Sequence, residues 1–573
     1  MPAPFEAILA RRHGGLAKSV ALLASLLLLR RLARWLKRYR STPPVVAKGA
    51  PEFLRWSACR LARAIRSQEL HAVDIVEASI KVLEGTHDSL NALAWKRFTE
   101  ARDEAASADA RVDDAKRSGQ LEGLPEFLGV PIMLKEAFEL VGQPYTHGLL
   151  SLKGRLGQRN GPVVKRILEG GFVVVGGGNI SEACMWMESY NLVYGRSNSP
   201  FDCSRTPGGS SGGTCAAVAV LGAPVGITAD IGGSTRIPAF FNGLFGHKAT
   251  GGLIANTHTH LDNFHGAVCR ICQPGFVTRH AEDLGPMLRL IAGPPSEEED
   301  HSHREYLPLP RWLASPGPVL PRKPELRGLR VVPLTFRGGW PAKMEEAAQL
   351  LISSVSPPLV DAQARIVEWL RAQGCTICPM HFEDLSVGAW FATWADRNQA
   401  AGGPTFRQVI CNGAEASGPA ELLRYALGRS AFTAPALGLA FLEGAVDALS
   451  PPMAKRVEAA NAIQAKLEAA LAGPGEDGGH GVFLMPTLPR HGCKHDELLL
   501  RVFDSCFTSI WNAVEFPATS VPVGSAPNGT PLGLQIVSTR GNDELTLGLA
   551  VELERAGLAF CTAPGDKSVG PSR

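Results

Sequence analysis

The chain has 573 residues, of which 45% are hydrophobic and 20% charged, with a formal net charge of +3. This composition excludes a disordered polymer and supports a large buried core, and the near balance of charge gives no general attraction to nucleic acid. The 12 cysteines are thinly spread, which excludes a small secreted disulfide scaffold and fits reduced thiols in a cytosol-facing protein.

The first element in chain order is the apolar run Ser19–Leu29. As a helix it spans about 16 Å, or about 24 Å counted from Gly14 through Lys18, against a hydrocarbon core of about 30 Å. Arg11, Arg12 and Lys18 precede the run; Arg30, Arg31, Arg34, Lys37, Arg38 and Arg40 follow it, and Trp35 suits an interface. A cleaved signal peptide needs small residues after its apolar core, and arginines stand there instead. The same arginines argue against a buried core helix. The expectation is a short N-terminal membrane-associated helix, either a marginal transmembrane span or a monotopic anchor. It would lie on the endoplasmic reticulum or a lipid-droplet surface, with the heavier basic flank keeping the rest of the chain cytosolic. Ser41-Thr-Pro-Pro44 reads as a linker. Residues 1–50 are therefore assigned to anchor and linker, 51–565 to one catalytic domain and 566–573 to a flexible tail.

Beyond Pro51, Leu61, Ile65, Val73, Val76, Ile80 and Leu83 recur at helical spacing. Phe127–Leu134 is an apolar run that predicts a buried strand ending at Lys135. Val163–Glu169 predicts a helix and Gly171–Gly176 a strand. The loop Gly208–Gly213 opens onto small residues, Thr214–Leu221, that suit a tightly packed helix. Val225–Thr228 predicts a further strand. Alternation of this kind predicts an α/β layer fold. The middle of the chain is looser. Pro294–Pro310, with Glu297–Asp300, His301 and His303, reads as a solvated loop rather than a metal site, and Pro316–Pro324 is proline-rich. Leu329–Pro333 then predicts a strand, Ala362–Ala372 an amphipathic helix and Gly473–Gly479 a surface turn.

The chemistry concentrates in two glycine-rich loops. One carries Ser210 in Thr206-Pro-Gly-Gly-Ser-Ser-Gly-Gly213; the other carries Ser234 in Asp230-Ile-Gly-Gly-Ser234, 24 residues later. Glycines there let backbone approach a substrate and aim successive N–H groups at one point, as an oxyanion requires. A serine hydroxyl is a poor nucleophile until a base removes its proton. Lys135, at the end of its apolar run, can be that base when its amine is neutral, with Ser210 relaying the proton from Ser234. Each part also has a plain alternative: a flexible turn, a phosphate cradle, or a salt-bridged lysine. A phosphate loop would carry G-x-x-x-x-G-K-[ST], which is missing, and no G-x-S-x-G elbow surrounds Ser234. Cys269/Cys272 and Cys375/Cys378 have C-x-x-C spacing, but a zinc site would join positions about a hundred residues apart among apolar neighbours. No metal or organic cofactor is expected.

Taken together, these segments resemble the amidase signature family from about residue 52 to 562. The most specific block runs from Thr206 to Lys248, joined by Gly129-Val-Pro-Ile-Met-Leu-Lys135-Glu, Phe516–Pro522 and Pro531–Val537. Within the family, Ser181–Ser189, Tyr194–Pro200, Arg236–Gly243, His280–Leu284, Gly438–Glu443 and Gly481–Pro486 are similar to the fatty-acid amide hydrolase branch. The resemblance implies a single α/β domain, a central mixed twisted β-sheet surrounded by helices. It implies Ser234 as the acylated nucleophile, Ser210 as a bridging serine held by a cis peptide, Lys135 as the base, and an oxyanion hole from the backbone of Ile231, Gly232, Gly233 and Ser234. Cys184 falls where a related enzyme contacts substrate.

The implied activity is membrane-associated hydrolysis of fatty-acid amides to free fatty acid and an amine or ammonia, with a homodimer left open and no nucleic-acid partner. Other amidase activities, on short-chain or aryl amides or as a tRNA-dependent amidotransferase subunit, remain alternatives. So does a membrane-tethered scaffold with a vestigial site, although the three intact catalytic positions argue against it. One departure stands in Gly275-Phe-Val-Thr-Arg279, where many relatives have proline in place of Phe276; it puts local backbone shape in doubt.

Overall fold

A computed structural model describes residues 41–257, 267–295, 306–314, 323–336, 352–411, 421, 424–425, 427–449, 451–472, 481–561 and 563–565. The apolar run Ser19–Leu29, the acidic and histidine-bearing stretch 297–303, the turn 473–479 and the tail 566–573 lie outside the described residues, as does most of Pro316–Pro324.

Helical spacing in the first segment resolves into two helices, α1 (Ala58–Ser67) and α2 (Ala72–Leu90). Ser57 caps α1 by accepting the Arg60 N–H, which satisfies one of the orphan donors at a helix start. Strand β1 (Leu93–Lys96) and helix α3 (Phe98–Ser118) follow. Strand β2 is Pro131–Lys135. The preceding Phe127–Val130 is instead a turn, with Gly129 at φ +82°, because its amides bond the loop at Gly170 and Gly171. Helix α4 (Pro162–Glu169) leads to β3 (Val173–Gly178), two residues later than expected at both ends.

Helix α5 (Gly212–Ala219) begins two residues before the expected start. Every residue of it is buried, and it packs on β2, β3 and β4 (Val225–Asp230). The small side chains are what permit this approach. A Cβ on Gly213 would fall 2.3 Å from the Asn179 nitrogen and 2.4 Å from the Ala92 carbonyl oxygen, so only glycine fits there. Helix α6 (Arg236–Phe241), β5 (Phe245–Lys248), β6 (Gln273–Thr278) and α7 (Leu284–Ile291) complete the first half. Phe276 sits fully buried within β6, paired to Ile227 and His247, so the strand continues unbroken through this position.

The second half contributes β7 (Arg330–Thr335), α8 (Pro357–Ala372), β8 (Thr376–Ile377), β9 (Met380–His381), α9 (Trp390–Ala400), α10 (Ala434–Leu449) and α11 (Met453–Leu471). It ends with β10 (Val482–Pro486), α12 (Cys506–Ala513), β11 (Ala518–Ser525), β12 (Pro531–Val537) and α13 (Asp543–Arg555). Helix α8 starts five residues before the expected Ala362 because Pro357 stands in its first turn, where a missing N–H costs nothing.

The sheet has 12 strands in the order β1-β3-β2-β4-β6-β5-β11-β12-β10-β7-β8, with β9 also on β7. It is mixed. The pairs β2–β3 and β2–β4 are parallel, β4–β6–β5–β11–β12–β10 run antiparallel, and β10–β7–β8 are parallel again. Strands β2, β3, β4, β5 and β6 are buried along their whole length, so none shows a polar face in alternation; β2 and the start of β3 read as apolar runs, whereas β5 and β6 bury His247, Lys248, Gln273 and Thr278. No helix among the described residues is long and apolar enough to cross a membrane.

Candidate active site

Parallel pairing of β2 with β4 brings the ends of both strands to one edge of the sheet. Lys135 closes β2 and the Ser234 loop follows β4. Lys135 is fully buried. Its Nζ donates to Ser210 Oγ at 2.7 Å and to the Ala229 carbonyl at 3.4 Å.

Ser210 is also fully buried and follows a cis Gly209–Ser210 peptide. Its loop is held by Ser189. That hydroxyl accepts the Gly212 N–H at 2.7 Å and points to the carbonyls of Gly208 and Ser210 at 3.1 and 3.2 Å. Ser234 lines a small chamber of about 60 Å³ together with Cys184, Gly209, Ile231, Gly232 and Trp394. Lys135 and Ser210 are thus in contact. Ser234 Oγ makes no hydrogen bond among the described residues, so it is left facing the chamber.

The loop from Ile231 to Ser234 is fixed from three sides. Trp394 Nε1 donates to the Ile231 carbonyl at 2.6 Å, and Thr508 Oγ1 donates to the Gly232 carbonyl at 2.6 Å. The Gly233 N–H donates to Asp230 Oδ1 at 2.7 Å. Of the four expected oxyanion donors, the Gly233 amide is therefore engaged by Asp230, while the amides of Gly232 and Ser234 have no acceptor among the described residues.

Asp230 anchors the arrangement. Burial opposes its ionisation, but the Arg236 guanidinium and the surrounding N–H groups outweigh burial and hold it at about 2. Arg236 Nε and one terminal nitrogen reach the two carboxylate oxygens at 3.0 and 2.9 Å. Asn512 and Gln535 accept from Arg236 at 2.7 and 3.1 Å.

Cys184 ends a short turn in which Ala183 and Cys184 both have positive φ, +54° and +60°. Burial pushes its thiol up, against the pull of Lys135. The group is then a neutral wall of the chamber rather than a second nucleophile.

Beside Lys135 sits a carboxyl to which the sequence reading gave no role. Glu136 Oε1 accepts from the Thr146 N–H, the Thr146 hydroxyl and the Tyr194 hydroxyl at 2.7, 2.8 and 2.9 Å. Burial nevertheless raises it to about 7. Trp394 and Thr508 were missed as well. They lie 163 and 276 residues from the carbonyls they hold, and no local motif marks them. Among the described residues no three His, Cys, Asp or Glu side chains converge as a metal site.

The chamber adjoins a larger cavity of about 540 Å³ with which it shares Met185, Ile231, Phe391, Trp394, Phe406 and Leu439. The shared wall is apolar and half aromatic. Asp396, Arg456 and Lys455 lie on the lining of the larger cavity, and Arg456 pairs with Asp396 at 2.8 Å.

A family model described as Amidase matches residues 74–547. The chain is 33% identical over 522 residues to fatty-acid amide hydrolase 2-A of Danio rerio, covering 90% of this chain and 91% of that protein. It is 32% identical over 505 residues to fatty-acid amide hydrolase 2 of Homo sapiens, covering 87% and 88%. Among solved structures, 6-aminohexanoate cyclic dimer hydrolase superposes with a TM-score of 0.67 at 22% identity, over 89% of this chain and 99% of that one. A fatty acid amide hydrolase does so with a TM-score of 0.63 at 19% identity, over 88% and 85%. At those identities the structures show a common fold.

Proposed function

The chain belongs to the amidase signature family and is an amide-hydrolysing enzyme, and from that premise we propose that it cleaves fatty-acid amides through Lys135, Ser210 and Ser234. The observation that carries the choice of substrate is the mostly apolar cavity of about 540 Å³ that adjoins the Ser234 chamber and shares Phe391, Trp394 and Phe406 with it. Its volume is in the range of small-molecule sites, which bury most of a ligand's surface against apolar side chains. The names of the two amide hydrolase relatives point the same way.

In this reading Lys135 takes the proton of Ser210 as Ser210 takes that of Ser234. Ser234 Oγ attacks the amide carbonyl. The Gly232 and Ser234 amides, and that of Ile231 at the end of β4, receive the negative charge that forms on the carbonyl oxygen. The proton returns through Ser210 to the leaving nitrogen, since an amide anion cannot leave unprotonated. The C–N bond breaks and the amine or ammonia departs. Water then attacks the acyl-enzyme by the reverse proton path and releases the fatty acid. Ser234 closes onto Ser210 when substrate enters, since catalytic hydrogen bonds commonly tighten only in the complex. Residues 51–565 form the catalytic domain, and residues 1–50 tether it to a membrane or lipid-droplet surface.

The test is hydrolysis of primary amides of increasing acyl length by the purified full chain in detergent, with Ser234→Ala as control. Rates that rise steeply with chain length, and vanish in the control, are expected. A flat profile, or a preference for short or aryl acyl groups, would retain the amidase and remove the lipid assignment. For the tether, full chain is expected in the membrane pellet and a chain lacking residues 1–40 in the supernatant with its turnover intact. Pelleting of both would refute the tether.

A further inference from the structure

We propose that Trp394 is a positioning residue for the oxyanion site, coupling the wall of the acyl cavity to the direction of the Gly232 N–H. The proposal rests on the reading of Ser234 as nucleophile. In a trans peptide the C=O and N–H of one unit point in opposite directions. The Ile231 carbonyl and the Gly232 N–H belong to one such unit. Trp394 Nε1 holds that carbonyl at 2.6 Å, so the indole sets where the Gly232 N–H points. A carbonyl that accepts a hydrogen bond also makes its own N–H a stronger donor.

The next peptide supplies an internal contrast. Its carbonyl, Gly232, is held by Thr508 at 2.6 Å, but its N–H, Gly233, is taken by Asp230 at 2.7 Å. Two consecutive peptides are pinned in the same way, and only the one held by Trp394 leaves its N–H without an acceptor among the described residues.

The ring has a second face. A Cβ on Gly232 would lie 3.4 Å from the indole, so the ring packs directly on the loop. Trp394 also lines both the chamber at Ser234 and the larger cavity. Phe391 and Phe406 back it, with ring centroids 5.7 and 6.0 Å away. An acyl chain lying along this wall presses on the group that aims the donor. Binding energy from the chain is thereby used at the reacting carbonyl, and chain length raises kcat as well as lowering KM.

The experiment compares wild type with Trp394→Phe, and with a variant carrying benzothienylalanine at position 394, in which sulfur replaces the indole N–H at nearly constant volume. Three quantities are read: kcat and KM for a long-chain primary amide, affinity for a long-chain trifluoromethyl ketone as transition-state analogue, and affinity for the free fatty acid. Both variants are expected to lose about 10- to 100-fold in kcat/KM, below the ~10²–10³ of deleting a donor outright. Ketone affinity should fall by the same factor and fatty-acid affinity should hold. Equal loss of ketone and fatty-acid affinity would assign Trp394 to packing alone, and unchanged kcat with unchanged ketone affinity would remove any role; either result overturns the proposal. The sulfur variant decides the matter if Trp394→Phe fails to fold. A wild type that turns over no amide would instead overturn the function on which the proposal rests.

Discussion

At the scale of single residues, the neighbouring positions Lys135 and Glu136 make separate predictions. Lys135 donates to Ser210 at 2.7 Å; on the proposed mechanism Lys135→Met should keep the fold and lose about 10²–10⁴ in kcat, the usual worth of general base catalysis. Far-ultraviolet circular dichroism and steady-state kinetics on the same sample check it. Glu136 is different. Burial raises its folded pKa to about 7, above the ordinary carboxylate range, so the folded state holds the proton more tightly than the unfolded chain does. The stabilisation is fully present at low pH and is lost as pH rises through this window. Glu136→Gln cannot ionise. Its stability should therefore fall less than that of wild type between about pH 5 and about pH 8, by an amount of order 3 kcal/mol. Denaturant unfolding at the two pH values reads the difference; parallel curves would show that Glu136 is ionised throughout.

At the scale of elements, the Ser234 loop is held by residues from three places. Asp230 ends β4, Thr508 lies on α12 and Trp394 on α9. Gly233 has φ +126°, and a Cβ there would sit 2.3 Å from Thr508 Oγ1 and 2.7 Å from Ile237 Cδ1. Gly233→Ala should move the loop, lower kcat by about 10²-fold or more and lower the melting temperature. Retained activity would count against the proposed oxyanion role of this loop. Arg236 is fully buried against Asp230, and removing one member of such a pair strands the other charge. Arg236→Met should cost about 3–5 kcal/mol, seen as a shift of the urea midpoint.

At the scale of the whole molecule, helices α9 and α10 close the space above the sheet edge where the two serine loops meet, and Leu439 of α10 lines both the chamber and the cavity. Leu439→Trp should narrow the passage. Long acyl amides should lose about tenfold or more in kcat/KM by crowding of a packed apolar site, while the shortest amides hold. Equal loss across lengths would place the passage elsewhere.

How much of this was readable in advance follows from range. The glycine patterns around Ser210 and Ser234 are local, because a backbone that must approach a ligand needs glycine within a few residues of the reacting group. A buried strand such as Pro131–Lys135 declares itself by the apolar run Pro131–Leu134. The amino-acid sequence therefore determined the α/β alternation, the two serine loops and, through family resemblance, the fold. It did not determine which side chains hold the loops in place. Trp394 and Thr508 reach the Ser234 loop across 163 and 276 residues, and their contacts depend on how α9 and α12 pack against the sheet. The diversion of the Gly233 amide to Asp230, the raised pKa of Glu136 next to Lys135 in the chain and the mostly apolar cavity were likewise decided only by tertiary structure. Burial, peptide direction and desolvation belong to the packed chain, and no window of sequence contains them.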